Sequence, residues 1–495
     1  EYAGKHYISL FAGQEIQERT AYNSFNYSPV FDEEHRIVGF PEMDDIDGSE
    51  INYSALGGTG KSVSKMSSFF ANASYSYLDK YILTGALRYD GSDIIGNDNQ
   101  FTPLWNVGLR WNLHREEFMK RWMWVDQFAV RGGFGYTGSI DKNALPFVVM
   151  TLGQSVIYDG QTVPTSFSYP NPNVKWQTKQ DMNVGLDLSL FDYRLELGVN
   201  YYNNITRDVL DRKALPYSSG RSEVTENVAD IYNSGWEIDL GVTLLKNKSF
   251  QWYAKANIAI NDNKVKNTYY KDTKDLPKAT LSNAHQFVEN QPVNGWYGYK
   301  FAGINPINGA VMTYTGNGEA TLDMSVSGAT WPIPSVFYLG NLTPPVVGGF
   351  STSANWKQLI FSANFEFKTG HKIKSFNTFR SLDARNRHTS EANRWREPGD
   401  ITNVPAMSEA FTTYSSYMYD ILLEKGNYLR CSYMTLGYNL KPEWLHKIGF
   451  STARLSFTAK DLFTVSSYSG IDPALMGSFG YPNSRKYTIT LNVGF

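Results

Sequence analysis

The chain has 495 residues and is rich in Tyr (33), Phe (29) and Trp (12), with 41 Gly. Its formal net charge is only −2, which excludes the basic footprint of a nucleic-acid binder, so no nucleic acid is expected among its partners. Mean hydropathy is negative and no apolar run reaches about 18 residues, which excludes transmembrane helices.

Period-two segments recur from one end of the chain to the other, and period two means β-strand. His6 to Gly13 is a weak first strand. Phe69, Ala71, Ala73, Tyr75 and Tyr77 alternate with small polar residues; Leu78-Asp79-Lys80 turns the chain, and Tyr81, Leu83, Gly85, Leu87 and Tyr89 return. Pro103 to Leu113 and Phe128 to Tyr136 follow with the same spacing. Met182 to Leu190 turns at Phe191-Asp192-Tyr193 into Leu195 to Tyr201. Trp236 to Leu244 turns at Lys246-Asn247-Lys248 into Phe250 to Ile260, and Phe350 to Trp356 turns at Lys357-Gln358 into Leu359 to Phe367. Met434 to Leu440 and Ala453 to Phe457 precede the last strand, in which Tyr487, Ile489, Leu491, Val493 and Phe495 share one face. The opposite face of these strands is polar: Asn183, Asp187, Glu196, Glu237, Asp239, Lys255, Asn364, Glu366 and Arg454.

This makes about fourteen strands, an even number as bacterial barrels require. The fold class is all-β, a transmembrane antiparallel barrel: lipid-facing and lumen-facing residues alternate, the average stays polar, and aromatic residues supply the interfacial girdles. Trp105, Trp111, Trp236 and Trp252 fall on apolar strand faces and are read as girdle or lipid contacts. The expected partner is the lipid bilayer of an outer membrane. Connections alternate short and long. Short ones lie near residues 78–80, 114–125, 191–193, 245–249, 357–358 and 441–451. Long ones lie near residues 17–63, 93–101, 139–177, 207–230, 263–346, 371–426 and 465–484. Counting back from Phe495 puts every short turn and residue 1 at the periplasmic rim and every long loop outside. A soluble sandwich has no reason for such a rhythm.

Little else carries chemistry. Ala55-Leu-Gly-Gly-Thr-Gly-Lys-Ser62 approaches a P-loop, but Ala55 stands where Gly is needed and no buried strand precedes it, so it is read as a flexible loop. Met43-Asp-Asp-Ile-Asp-Gly48 fails as a calcium loop at its first and twelfth ligand positions, Met43 and Ser54. The seven His are scattered, no nucleophile elbow occurs, and Cys431 is alone, so no catalytic residue, metal or cofactor is expected and the chain is not read as an enzyme. Loop aromatics are the candidate substrate contacts: Trp296, Tyr297, Tyr299, Trp331 and Trp395, with Arg394 beside the last. Flat rings stack on sugars or pack peptide side chains; the plainer reading is that they pack the loops.

Several segments in order carry a resemblance. They are Arg88-Tyr-Asp-Gly-Ser92, Asn173-Val-Lys-Trp-Gln-Thr178, Asn183-Val-Gly-Leu-Asp187, Asn233-Ser-Gly-Trp-Glu237 and Pro344-Pro345 with Gly348-Gly349-Phe350. Arg394-Trp395, Pro398-Gly-Asp400, Asn427-Tyr-Leu-Arg430, Thr435-Leu-Gly-Tyr438, Asp461-Leu462-Phe463, Gly470-Ile-Asp-Pro473 and Tyr481-Pro482 continue it. Together they resemble the C-terminal barrel region of SusC-like TonB-dependent transporters; Asp93-Ile-Ile95 and Lys460-Asp461 depart from that pattern. The resemblance implies a barrel of about 22 strands with a plugged lumen, of which residues 1–495 are the C-terminal portion, the plug and first strands lying elsewhere. It implies TonB-dependent active import of an oligomeric nutrient, glycan or peptide. The partners it implies are a SusD-like surface lipoprotein lid, the TonB-ExbB-ExbD complex acting through the missing N-terminal part, and the barrel-assembly machinery. That machinery would read a signal of Tyr487, Ile489, Leu491, Val493 and Phe495. Dimers of transporter-lid pairs are also implied. The alternatives are a siderophore-type receptor and a passive porin-like channel.

Overall fold

The computed structural model describes residues 4–26, 30–31, 37–39, 57–93, 95, 100–140, 150–158, 161–167, 175–214, 218, 223–273, 287–315, 317–321, 336–375, 392–406, 419–445, 449–476 and 481–495. Fourteen strands form one antiparallel sheet in which every strand pairs with its neighbours in sequence. They are β1 (His6–Asn26), β2 (Gly57–Tyr77), β3 (Tyr81–Ser92), β4 (Phe101–Asn112), β5 (Val125–Ser139), β6 (Gln177–Leu190) and β7 (Leu195–Ala214). The others are β8 (Glu223–Lys246), β9 (Phe250–Lys266), β10 (Val346–Trp356), β11 (Leu359–Thr369), β12 (Tyr428–Asn439), β13 (Thr452–Ser466) and β14 (Lys486–Gly494). Among the described residues the outer edges of β1 and β14 pair with no further strand.

The register gives the sheet two chemically distinct faces. Directly paired residues share a face. One row across the sheet runs Leu83, Leu109, Gly132, Val184, Tyr201, Trp236, Ile260. Its parity continues to Leu10, which is 76% exposed, and to Ile489, 75% exposed. Soluble monomers rarely expose contiguous apolar patches above a few hundred Å², so an apolar face across fourteen strands needs hydrocarbon against it. Trp105, Trp111, Trp236 and Trp252 stand on this face, all exposed. The opposite face carries the row Asp187, Gly198, Asp239, Asn257, Gly349, Glu366, Arg430, Thr464.

The two ends of the sheet differ. At one end the connections are residues 78–80, 113–124, 191–194, 247–249, 357–358 and 440–451. The tightest use left-handed residues: Asp79 (φ 52°), Phe191, Asp192 and Tyr193 (φ 57–59°) and Lys357 (φ 52°). At the other end the strands run further than their alternation predicts. β1 continues past Gly13 in register with β2 as far as Asn26 opposite Gly57, and β7 continues past a bulge at Asp208 to Ala214. At about 3.3 Å per residue, a strand of 21 residues is far longer than a bilayer crossing, so these hairpins project beyond it.

Two expectations change as a result. The connections 93–100 and 215–222 are shorter than the turns 113–124 and 440–451, so the contrast between the ends lies in projection and loop structure, not in residue count alone. The P-loop-like run is not a loop: Gly57 to Ser62 is strand, paired with Asn26 to Ala21. The calcium-loop-like run at 43–48 lies outside the described residues.

Candidate functional site: the polar face and the loops above it

Charged side chains on the polar face are gathered into small ion-paired and hydrogen-bonded groups. Arg110 Nη1 donates to Asp187 Oδ2 at 2.9 Å, and Arg131 Nε lies 3.5 Å from Asp187 Oδ1. Gly185 makes room for this, since a Cβ there would sit 2.8 Å from the Arg131 guanidinium carbon. Asn200 Nδ2 donates to Glu237 Oε2 at 3.2 Å, and Lys255 Nζ lies 3.9 Å from Asp239. Arg88 Nε donates to Asp90 at 2.6 Å while its Nη2 reaches Ser68 and Glu15. These pairs are partly exposed and stabilise little individually.

One pair is buried. Arg430 Nη2 donates to Asp472 Oδ1 at 2.5 Å, Arg430 Nε donates to Thr464 Oγ1 at 3.1 Å, and the guanidinium lies over the Tyr428 ring. The same Asp472 oxygen accepts from Ala474 N, capping the turn Pro473–Leu475. Arg430 thus ties the segment between β13 and β14 to the polar face. Asn427-Tyr-Leu-Arg430 and Gly470-Ile-Asp-Pro473 are far apart in the chain, and only the fold pairs their charges.

The long segments between β9 and β10 and between β11 and β12 pack into a shared module. Gly295–Gly298 pairs with Phe337–Asn341, Phe301–Ile304 with Val311–Tyr314, and Lys372–Lys374 with Leu423–Lys425. Bridges join Tyr270 to Val288 and Tyr299 to Tyr419. Around them sits an apolar core of Tyr297, Tyr299, Ile304, Val311, Val336 and Tyr419, and a second of Trp296, Leu339 and Leu423.

Three of the predicted substrate aromatics lie inside these cores. Trp296 is 9% exposed, Tyr297 3% and Tyr299 0%, so none offers an open ring face. Trp296 Nε1 donates to Lys372 O at 2.8 Å, stitching the two long segments together. Burial raises the Tyr297 hydroxyl well above the ordinary phenol range and pushes Tyr338 up to about 12. Trp395 is half-buried; its Nε1 donates to Pro306 O at 3.1 Å, and its ring lies where a side chain at Gly309 would stand. Arg394 is half-buried beside it, and Trp331 lies outside the described residues. Alternation and composition do not reveal that these rings are core, because their partners are 40 to over 100 residues away in the chain.

At the root of the second long segment, His371 is buried, and burial followed by the Lys368 charge lowers its pKa. Burial alone would raise Glu424; hydrogen bonds from Ser375 and Ser469 outweigh it and hold the carboxyl below its usual range. Among the described residues no group of three or more His, Cys, Asp or Glu side chains is placed to hold a metal ion. Cys431 is buried in β12 and faces Phe365 and Phe463. What the face offers is a patterned polar wall, suited to contact and passage.

A family model described as "TonB dependent receptor-like, beta-barrel" matches residues 4–366. The chain belongs to this family. The wall described above is therefore part of a bacterial outer-membrane β-barrel of the TonB-dependent receptor kind. Among its relatives, TonB-dependent receptor P3 of Formosa agariphila is 29% identical over 86% of this chain and 45% of its own length. TonB-dependent receptor SusC of Bacteroides thetaiotaomicron is 23% identical over 86% of this chain and 43% of its own. The chain spans less than half the length of these two relatives. A solved structure of the RagAB peptide transporter shares the fold, with TM-score 0.78 and 23% identity over 100% of this chain and 54% of that one.

Proposed function

We propose that the whole protein imports an oligomeric nutrient, glycan or peptide, across the outer membrane by TonB-dependent active transport. The observation that carries this reading is the packed loop module at one end of a polar-faced barrel wall. Loops that only capped a passive pore would not need two apolar cores and cross-links such as Trp296 to Lys372. A rigid rim suits the docking of a SusD-like lipoprotein lid, which puts this end outside the cell and the tight turns in the periplasm. In this reading further strands cover the edges of β1 and β14 and a plug fills the lumen, in keeping with relatives about twice as long as the matched region. TonB with ExbB and ExbD then acts on that plug.

Within the assembled transporter, the apolar side of β14, from Tyr487 through Ile489, Leu491 and Val493 to Phe495, is the segment read by the barrel-assembly machinery. The Phe495 ring packs against Phe450 at 5.2 Å, which fixes the end of the strand at the turn-side rim. Arg394 and Trp395 remain the predicted aromatic and cationic contacts nearest the module surface.

The test is growth of a deletion strain on defined glycans and peptides, together with affinity purification of the tagged whole protein. Loss of growth on an oligomeric nutrient that also requires TonB, and co-purification of a lid lipoprotein, are the expected results. Uptake of a ferric siderophore without a lid would replace this reading with the siderophore-type alternative.

A further inference from the structure

The six connections at the tight-turn end of the sheet carry nine Lys and Arg against five Asp and Glu, in a chain whose net charge is −2. Three of those five carboxylates are already engaged. Arg115 Nη1 lies 3.0 Å from Asp79 Oδ2, Lys80 Nζ 3.0 Å from Glu116 Oε2, and Lys120 Nζ 2.7 Å from Glu117 Oε1. Among the described residues Arg121, Arg194, Lys248, Lys357 and Lys441 make no ion pair, with Asp192 and Glu443 left to oppose them. Like-signed charge is thus collected at one rim of a nearly neutral molecule.

Exposed rings stand beside these cations. Lys357 Nζ lies over the Trp356 ring, 6.0 Å from its centroid, and Lys441 Nζ lies over the Trp444 ring at 5.7 Å. Arg121 precedes Trp122, which stacks on Trp124, which stacks in turn on Phe191. All five rings are about half exposed, and Met123 between two of them is 91% exposed. Register puts Trp356 on the hydrocarbon face, because Val346 of the same strand pairs with Ile260. Tyr81 and Trp111 pair on that face too, and both turn their polar tips to Glu116. Rings toward hydrocarbon and tips toward water mark a membrane interface, so the unpaired cations lie at headgroup depth.

A cation held against an exposed ring at the edge of hydrocarbon selects an amphiphile. A soluble anion would use the charge and leave the rings in water. A zwitterionic headgroup brings its own ammonium group and gains less from added cations. A phospholipid of net negative charge places its phosphate on Arg or Lys, its glycerol against the ring and its acyl chains along the apolar face. We infer that the tight-turn rim is a seat for anionic phospholipid, centred on Arg121, Lys357 and Lys441. The inference rests on the membrane-spanning wall and is independent of the cargo.

The experiment uses the purified whole transporter in detergent, incubated with an equimolar mixture of phosphatidylglycerol and phosphatidylethanolamine. After washing, retained lipid is extracted and quantified by mass spectrometry. Wild type retains phosphatidylglycerol over phosphatidylethanolamine by about tenfold, and the combined variant Arg121→Gln, Lys357→Gln, Lys441→Gln brings the ratio close to one. All three positions lie in connections, outside the strands, and the heat-dependent gel shift of a folded barrel checks that the variant has formed. Wild type alone gives a second readout: incubation in about 1 M salt shrinks the preference by screening. Inorganic phosphate at about 50 mM and constant ionic strength separates a lipid seat from a plain anion site, and leaves the retained phosphatidylglycerol in place. Equal retention of the two lipids by wild type overturns the inference. So does a folded triple variant that keeps the preference, a preference that high salt does not reduce, or displacement of the lipid by inorganic phosphate.

Discussion

At the tight-turn end of the sheet each hairpin closes on its nearest neighbours: Lys357 turns β10 into β11 with Trp356 directly opposite Leu359. At the other end Trp296 bonds to Lys372, Tyr299 bridges to Tyr419, and Arg430 holds Asp472, all across long stretches of chain. The first end is determined by a few adjacent residues. The second exists only when distant segments meet, so damage there should spread through the loop module while leaving the strands paired.

The largest expected effect follows from Tyr299→Ala. The ring is fully buried, and emptying such a site costs about 3–5 kcal/mol. Limited proteolysis of the whole protein should then cut within the loop module while the barrel keeps its resistance to heat and detergent; a variant as resistant as wild type would remove the distinction between the ends. Trp296→Phe should retain most of the packing, so a large loss of substrate binding with intact loops would instead point to direct ligand contact by that ring.

Asp472→Ala strands a buried guanidinium. Removing one partner of a buried pair typically costs about 3–5 kcal/mol, here reduced by the 4.0 Å contact of Arg430 with Glu366. Hydrogen exchange should rise in residues 467–476 and in β12 near Arg430, and unchanged protection in both would show that the pair does not tie the segment down.

A smaller and local effect belongs to the tight-turn end. Glu116 accepts from Tyr81 Oη at 2.7 Å, from Lys80 Nζ at 3.0 Å and from Trp111 Nε1 at 3.1 Å. Those bonds lower its pKa from 4.5 to about 2. Between these values the unfolded state binds more protons than the folded one, so the Glu116 contribution is complete above about pH 4.5 and is lost as pH falls toward about 2. Thermal unfolding of the protein in detergent should show this slope, and Glu116→Gln should remove it; an unaltered slope in the variant would assign it to other carboxylates.

The smallest change is expected for Lys357→Asn. A left-handed backbone costs a lysine about 1 kcal/mol and an asparagine less, so a stabilisation of about 0.5 kcal/mol is expected, offset by loss of the weak contact between Lys357 and the Trp356 ring. A melting-temperature measurement that finds marked destabilisation would mean the turn is held by more than its local conformation.

Strand identity was legible in the sequence because, within the bilayer, one face must be apolar and the other must not. That rule marks Leu83, Leu109 and Val184 as surely as it marks Ile489 and Leu491. It fails where strands leave the membrane. Gln14, Glu15, Gln17, Glu18 and Arg19 are polar on both sides, yet they lie in an unbroken ladder with residues 64–69. Water no longer demands alternation there, while the backbone hydrogen bonds continue. For the same reason Gly57 to Ser62 reads as a loop and folds as strand.

The sequence by itself determined the order and sidedness of the strands, since each depends on residues two apart and on the turn that follows. The packing of distant segments settled which aromatics became core and which arginine met Asp472. Those outcomes depend on segments far apart in the chain arriving at one place, and no local pattern encodes that meeting.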